Sequence, residues 1–200
     1  AVAGGMKALI ITQVGGIGLM AGALFIYAAT GSFDINQFIA AAPSIPSGVL
    51  SVPAFGFLIA AAATSAQFPF QPWLPDAMDA PTPTSALIHA ATMVNAGVYL
   101  LIRFYPAFEA VPGWKTAVVV LGLLSALLAA LMAIFATDLK RVLAYSTVSQ
   151  LGYMVYAIGA GGLLASSLHL MSHSVFKALL FLAAGAVIHG TGTRDMRKMG

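Results

Sequence analysis

The sequence contains no cysteine and very little charge. With no cysteine among its 200 residues, the chain forms no disulfide and offers no thiolate to a metal ion or an iron–sulfur cluster. Charged residues make up 8% of the composition, hydrophobic residues make up 60%, and the mean hydropathy is +0.94. A soluble domain carries roughly 25% charged residues, so this composition argues against that class. The net charge of +3 comes from scattered residues, which predicts no nucleic-acid partner.

Long apolar runs are what the sequence has in abundance. Each of them is about as long as the roughly 20 residues that cross a hydrocarbon core. We therefore predict an all-α, polytopic transmembrane helix bundle that forms one domain over residues 1–200, with about six crossings of the lipid bilayer. The predicted spans cover residues 8–29, 49–74, 85–105, 116–136, 142–160 and 163–188.

The charges between the spans predict an orientation. If the spans alternate in direction, one end of the bundle carries most of the cations, and cytoplasmic loops are the ones rich in lysine and arginine. The cations at that end are Lys7, Lys140, Arg141, Arg194, Arg197 and Lys198. We expect an integral protein of a prokaryotic cell membrane with both chain ends on the cytoplasmic side. Because the chain starts with alanine and lacks a signal peptide's order of regions, we expect an internal fragment of a longer subunit.

Two prolines interrupt the second predicted span. Pro69 and Pro72 lack a backbone N–H and clash with the preceding turn, so we expect them to break this helix. Breaks of this kind are tolerated in lipid where the backbone is buried in protein or lines a wet cavity, and transporters place ion sites at them. The alternative is a kink near a helix end, with Trp73 as an interfacial anchor.

The last predicted span contains a ladder of proton-binding side chains. His169, His173 and Lys177 are spaced by four residues, which places them on one face of a helix. Titratable groups within a membrane are costly and usually mark a proton or ion path. Two alternatives stay open: hydrogen-bonded histidines that hold helices together, and a zinc site, which Lys177 on the same face would disfavour.

Two further titratable residues are less clear from the sequence alone. His89 lies within the third predicted span, where a lone histidine either carries protons or bonds a neighbouring carbonyl. Lys140 follows Asp138 and resembles a cation at a helix start, although a polar series follows it over residues 145–150.

Several motifs together resemble the chain 5 (subunit L) family of NADH-quinone oxidoreductases, which shares them with the large subunits of Mrp-type cation/proton antiporters. The matching stretches are SAQFP at 65–69, WLPDAM at 73–78, PTPTSALIHAATMV at 81–94, DLKRVLAYST at 138–147, SQLGYM at 149–154, HLMSH at 169–173 and FKALLF at 176–181. The resemblance implies a redox-free ion-pump module with no cofactor on this chain. It also implies a proton relay, whose positions match His89, Lys140, His169, His173 and Lys177.

One position departs from the family pattern. A lysine usually stands directly before Ser-Ala-Gln at the break, and here that residue is Thr64. A hydroxyl carries no charge at neutral pH, so the electrostatic partner of an acidic residue on an earlier helix is missing. We expect Thr64 to order water beside Pro69 and proton uptake to be slower than in relatives with lysine.

The resemblance implies a proton-translocating membrane subunit of a respiratory NADH-quinone-oxidoreductase-type complex. Its expected partners are other membrane subunits, the lipid bilayer and protons. One alternative is an Mrp-type antiporter subunit that exchanges sodium for protons. Another is an antiporter-like subunit of a hydrogenase or of an inorganic-carbon uptake complex.

Overall fold

The structure, a computed structural model, describes residues 2–90 and 92–199. Its regular elements in this part of the chain are helices. There is also one isolated β-bridge, between Asp138 and Asp195. The α-helices are α1 (Val2–Thr30), α2 (Ile35–Ala41), α3 (Ser47–Thr64), α4 (Trp73–Asp76), α5 (Thr82–Ala90), α6 (Met93–Phe108), α7 (Trp114–Phe135), α8 (Leu139–Gly159) and α9 (Leu163–Thr191). The predicted all-α class is confirmed.

Five stretches within the described residues are long and apolar enough to cross a membrane. They are Ala3–Thr30, Ser47–Thr64, Thr82–Phe108, Trp114–Phe135 and Leu163–Thr191. They match five of the predicted spans. The remaining prediction, 142–160, falls on α8, a helix of 21 residues that carries the polar series and packs against α7 and α9. The chain is therefore a polytopic helical membrane bundle.

The second span ends earlier than predicted. α3 stops at Thr64, five residues before Pro69, because the chain turns in a Schellman-type motif. The N–H of Gln67 bonds to the Ala62 carbonyl at 2.8 Å, and Ala66 takes the left-handed conformation with φ of 50°. Glycine usually fills such a position, since a Cβ is strained there. The prolines follow this stop, and Pro72 precedes the first turn of α4.

A second interruption was not predicted. The third span, expected to be one helix over 85–105, is divided into α5 and α6. Thr92 has a non-helical backbone (φ −128°, ψ −102°), and Ala91 lies outside the described residues. The Asn95 side-chain amide donates to the Ala90 carbonyl at 2.6 Å and so bridges the two helices.

Small residues and aromatic rings hold the bundle together. α7 and α8 approach so closely at Gly122 and Gly152 that a Cβ on either glycine would meet the backbone of the other helix. An aromatic cluster joins α3 to α6, where the Phe57 ring meets Phe104 edge-on at 4.7 Å between centroids. Trp114 extends this cluster to α7 and donates to the Ala54 carbonyl at 3.1 Å.

One end of the bundle gathers charged side chains from distant parts of the sequence. Asp76 pairs with Lys7 at 2.7 Å and lies 3.8 Å from Arg141. Arg194 lies 3.2 Å from Asp138. The structure thus brings the start of α1, the end of α4, the start of α8 and the segment after α9 to the same end, as the alternating spans predicted.

Candidate functional site

The ladder on α9 faces the protein. His173 and Lys177 are 0% and 2% exposed, whereas Val175 between them is 74% exposed. In this part of α9 polar groups therefore face inward and an apolar group faces outward. Burying an ionisable side chain within a membrane span costs free energy, and such residues are usually functional. The inward-facing residues of α9 are therefore the first candidates for the site.

Lys177 bonds to α8 rather than to the other ladder residues. Its ammonium donates to the Ser146 hydroxyl at 2.5 Å and to the Leu143 carbonyl at 3.1 Å. Leu143 lies about one turn beyond Lys140 along α8, and Ser146 lies less than two turns beyond it. The polar series of α8 and the ladder of α9 therefore meet side by side.

The two ladder histidines lie within reach of each other. The rings of His169 and His173 are nearly parallel, with centroids 6.3 Å apart. His169 is half-buried, and its Nε2 lies 2.8 Å from Oε1 of Gln150 on α8. A hydrogen bond to a side-chain oxygen requires Nε2 to carry the proton, so Gln150 selects the tautomer of His169 when that ring is neutral.

His89 joins the site from α5. Its side chain is fully buried, and its ring lies 4.7 Å from that of Phe181 on α9, one turn beyond Lys177. Among the residues that the structure describes, no protein group bonds to either ring nitrogen of His89 or of His173.

Lys140 is anchored at the charged end of α8. Its side chain is 5% exposed, and its ammonium donates to the Ala80 carbonyl at 2.9 Å, in the turn that follows α4. Lys140 lies about one turn along α8 from Leu143, to which Lys177 bonds. Of the five predicted relay positions, the structure therefore places His89, Lys140, His173 and Lys177 in the interior and His169 at its edge.

The residues of the broken-helix site do not join this line. The Thr64 hydroxyl donates to the Ala60 carbonyl of its own helix at 2.8 Å, and Pro69 and Pro72 lie exposed. The interior of the break is instead formed by Gln67, which is fully buried and donates to the Val148 carbonyl of α8 at 3.4 Å. Ser125 of α7 accepts the Phe68 N–H at 2.9 Å. These bonds fix the interrupted backbone beside α8.

Sequence analysis missed the bonding partners of the relay residues. Ser146 and Gln150 are four residues apart on α8, so their spacing marked one polar face of that helix. Asn95 of α6 donates to the Ser174 hydroxyl of α9 at 3.1 Å and so ties the ladder helix to the second interruption. Only an assembled fold reveals such pairs, since Asn95 and Ser174 lie 79 positions apart.

The described residues form no cluster of side chains typical of a metal centre. Within residues 2–90 and 92–199 no three histidine, aspartate or glutamate side chains come together in a group that could hold an ion. His169 and His173 share a face, but Lys177 follows on the same face and would oppose a cation. What the arrangement can do chemically is hold protons at neighbouring sites.

Comparison with known proteins agrees with the resemblance in the motifs. The family model described as "NADH:quinone oxidoreductase/Mrp antiporter, TM" matches residues 1–200. NAD(P)H-quinone oxidoreductase chain 5 from Synechocystis sp. is 47% identical over 97% of this chain and 31% of the relative. A chain in the structure of the Mrp complex from Dietzia sp. superposes with a TM-score of 0.92 at 42% identity, over 96% of this chain and 22% of that one.

A third relative belongs to another assembly. A chain of the membrane-bound sulfane sulfur reductase, an archaeal respiratory membrane complex, superposes with a TM-score of 0.81 at 25% identity. That match covers 98% of this chain and 42% of the other. The chain spans about a third of the length of the curated relatives that it matches, 31% in the case of the Synechocystis protein.

Proposed function

Since the chain belongs to the NADH:quinone oxidoreductase/Mrp antiporter transmembrane family, we propose that it works as a proton-translocating membrane subunit of an NADH-quinone-oxidoreductase-type complex. Electron transfer takes place elsewhere in that complex. This chain contributes proton movement through its own side chains.

The observation that carries the proposal is the continuous contact between α8 and α9. Lys140 is the relay residue at the charged end of the bundle. Lys177 is the next one, because its ammonium donates to Leu143 and Ser146, which follow Lys140 on α8. From Lys177 the ladder continues along α9 to His173 and then to His169 with its partner Gln150. His89 lies against the same segment through Phe181.

Each residue type suits a step of proton transfer. A histidine binds a proton on one ring nitrogen and releases one from the other, and it titrates near neutral pH. A lysine held among apolar groups gains or loses its proton when a neighbouring charge changes. Buried polar atoms are normally hydrogen-bonded, and the ring nitrogens of His89 and His173 have no protein partner among the described residues. We therefore expect water to connect the relay residues at these nitrogens.

The orientation follows from the charged end. We propose that Lys140 faces the cytoplasm, because the cations gathered at that end outnumber those at the other, where Arg103 bonds to Asn36. The line then leads protons from the cytoplasmic side into the membrane. Other membrane subunits are its expected partners.

The test uses inverted membrane vesicles that carry the full-length gene with its native neighbours. A pH-sensitive dye follows proton uptake with and without an electron donor. Uptake that requires the donor and stops with a quinone-site inhibitor supports a respiratory complex. A Lys177→Met variant that assembles normally and takes up protons at the wild-type rate contradicts the relay.

A second candidate is an Mrp-type antiporter subunit, which the TM-score of 0.92 to a chain of the Mrp complex favours. In that case the same line exchanges protons for sodium without an electron donor. The same vesicles separate the two candidates. A preformed proton gradient that collapses when sodium is added, with no donor present, supports the antiporter.

A further inference from the structure

The segment that follows α9 folds back onto the start of α8. The Leu139 N–H bonds to the Arg194 carbonyl at 3.0 Å, and the Met196 N–H bonds to the Thr137 carbonyl at 3.0 Å. These two bonds flank the bridge pair between Asp138 and Asp195. The backbone of Arg194 is therefore fixed beside the first turn of α8.

From this position the Arg194 side chain reaches two other elements. Its Nη1 donates to the Met78 carbonyl at 3.2 Å, and its Nη2 lies 3.6 Å from the Asp79 carboxylate in the same turn. Its Nε lies 3.2 Å from the carboxylate of Asp138. A guanidinium presents five N–H groups in a rigid plane, so one side chain can hold several oxygens in a set arrangement.

Both elements that Arg194 holds also fix Lys140. Asp138 caps α8 by accepting the Arg141 N–H at 3.1 Å, so it sets where the helix that carries Lys140 begins. The turn that contains Met78 and Asp79 continues to Ala80, whose carbonyl accepts the hydrogen bond from Lys140. Arg194 thus joins the helix that carries Lys140 to the acceptor of Lys140.

The same turn also packs against the ladder helix. The Met78 side chain is 2% exposed and lies in a cluster with Phe181 of α9, Ala144 of α8 and Ala86 of α5. A displaced turn would therefore disturb Lys140 at one end and the surroundings of Phe181 at the other. The Arg194 side chain is 41% exposed, so its ion pairs add little to folding stability. We therefore expect the loss of the Arg194 side chain to displace the turn rather than to lower the free energy of unfolding.

We propose that Arg194 is a positioning residue for the proton relay, which ties the turn at 77–80 to the start of α8 and so keeps the Ala80 carbonyl where Lys140 donates to it. The inference rests on the proposed function, because it gives Lys140 a role in proton transfer. It concerns a residue outside the five relay positions and outside the matched motifs.

The first arm of the test measures the turn itself. The chain has no cysteine, so a Met78→Cys substitution introduces a single thiol into it at a buried site. The full-length subunit in its native membrane complex is treated with a maleimide, and labelling at residue 78 is read by mass spectrometry. We expect slow labelling with Arg194 present, labelling at least about tenfold faster with Arg194→Ala, and an intermediate rate with Arg194→Lys, which keeps the charge but not the fork.

Arg197→Ala is the matched control. Arg197 is a neighbouring arginine on the same segment, and its guanidinium pairs with Asp195 at 2.8 Å. Hydrogen bonds from Arg197 hold the pKa of the Asp195 carboxyl at about 2, so Arg197 acts on a residue of its own segment. We expect Arg197→Ala to leave thiol protection at residue 78 and proton uptake unchanged. If Arg194→Ala also leaves the thiol protected, the tie does not exist and the proposal is overturned, whatever happens to proton uptake.

The second arm asks whether Arg194 acts through Lys140. Proton uptake per assembled complex is compared for Arg194→Ala, Lys140→Ala and the double variant. We expect Arg194→Ala to lower uptake by roughly threefold to tenfold, as when a proton carrier is displaced but not removed, and the double variant to match Lys140→Ala alone. Additive losses overturn the positioning role. Unchanged uptake in Lys140→Ala would instead contradict the proposed relay, while the labelling result still decides whether the tie exists.

Discussion

The ammonium of Lys177 on α9 donates a hydrogen bond to the hydroxyl of Ser146 on α8, with 2.5 Å between the two atoms. This contact joins residues 31 positions apart and connects the two helices that carry most of the predicted relay. Lys177 is therefore the point at which the line from Lys140 passes to the histidines.

Replacing Lys177 tests that crossing point. Lys177→Met keeps the length of the side chain and removes the proton-binding amine, so we expect donor-driven proton uptake to fall by about tenfold or more. The measurement is the initial rate of dye quenching in inverted vesicles, normalised to assembled complex. Lys115→Met is the matched control, because Lys115 is exposed at the other end of the bundle near the Tyr105 ring. Equal losses in both variants would show that any lost lysine has this effect.

Replacing His89 tests whether the residue on α5 carries protons. Gln keeps hydrogen-bonding capacity but does not titrate, so a structural role survives His89→Gln and a relay role does not. We expect uptake to fall by roughly fivefold to tenfold with normal assembly. His189→Gln serves as control, since His189 is exposed near the end of α9. Wild-type uptake in His89→Gln would leave His89 as a packing residue against Phe181.

Thr64→Lys tests the departure from the family pattern. Thr64 is half-buried at the end of α3, and its hydroxyl donates to Ala60. A lysine there would add the missing charge beside the break, so we expect faster uptake and a changed dependence of uptake on pH. Thr64→Val has the same shape without the hydroxyl, and we expect it to take up protons no faster than the wild type. If the lysine variant matches the wild type at every pH, the predicted importance of this position is wrong.

The close approach of α7 and α8 predicts an effect on stability. A Cβ at Gly152 would lie 2.6 Å from the Ala126 backbone nitrogen, so Gly152→Ala must push the two helices apart. We expect a cost of about 1–3 kcal/mol in the free energy of unfolding, the usual range for overpacking. Gly190→Ala is the control, because no neighbouring atom in the described part of the chain lies within 4 Å of a Cβ built there. The measurement is the thermal midpoint of the detergent-solubilised protein, which should drop for the first variant only.

The inward ladder was predictable because its cause is local. A helix fixes which residues share a face, so the spacing of His169, His173 and Lys177 already placed them together. The partners of these residues depend on how helices pack, and neither Ser146 nor Gln150 carries a local signal that names its partner. The turn from Met78 to Ala80, on which Lys140 depends, was likewise visible only in the fold.

The two helix interruptions show the limit of proline as a signal. The prediction placed the first break at Pro69, but the helix stops at Thr64 because Ala66 adopts a left-handed backbone. Glycine is the usual residue in that conformation, so an alanine gives no signal of it in the sequence. The second break, at Thr92, has no proline or glycine beside it and was missed. The Asn95 side chain stabilises it instead, through a local bond to the Ala90 carbonyl and a tertiary bond to Ser174 of α9.

The unequal faces of α9 have an electrical consequence. Its outer residues, such as Val175, form an apolar wall, and its inner residues, such as His173, face other helices. Dissolved salt ions screen buried charges much less than exposed ones, so a charge on Lys177 acts more strongly on the groups behind that wall than it would at the surface. We therefore expect proton binding at one member of the proposed relay to alter the proton affinity of its neighbours.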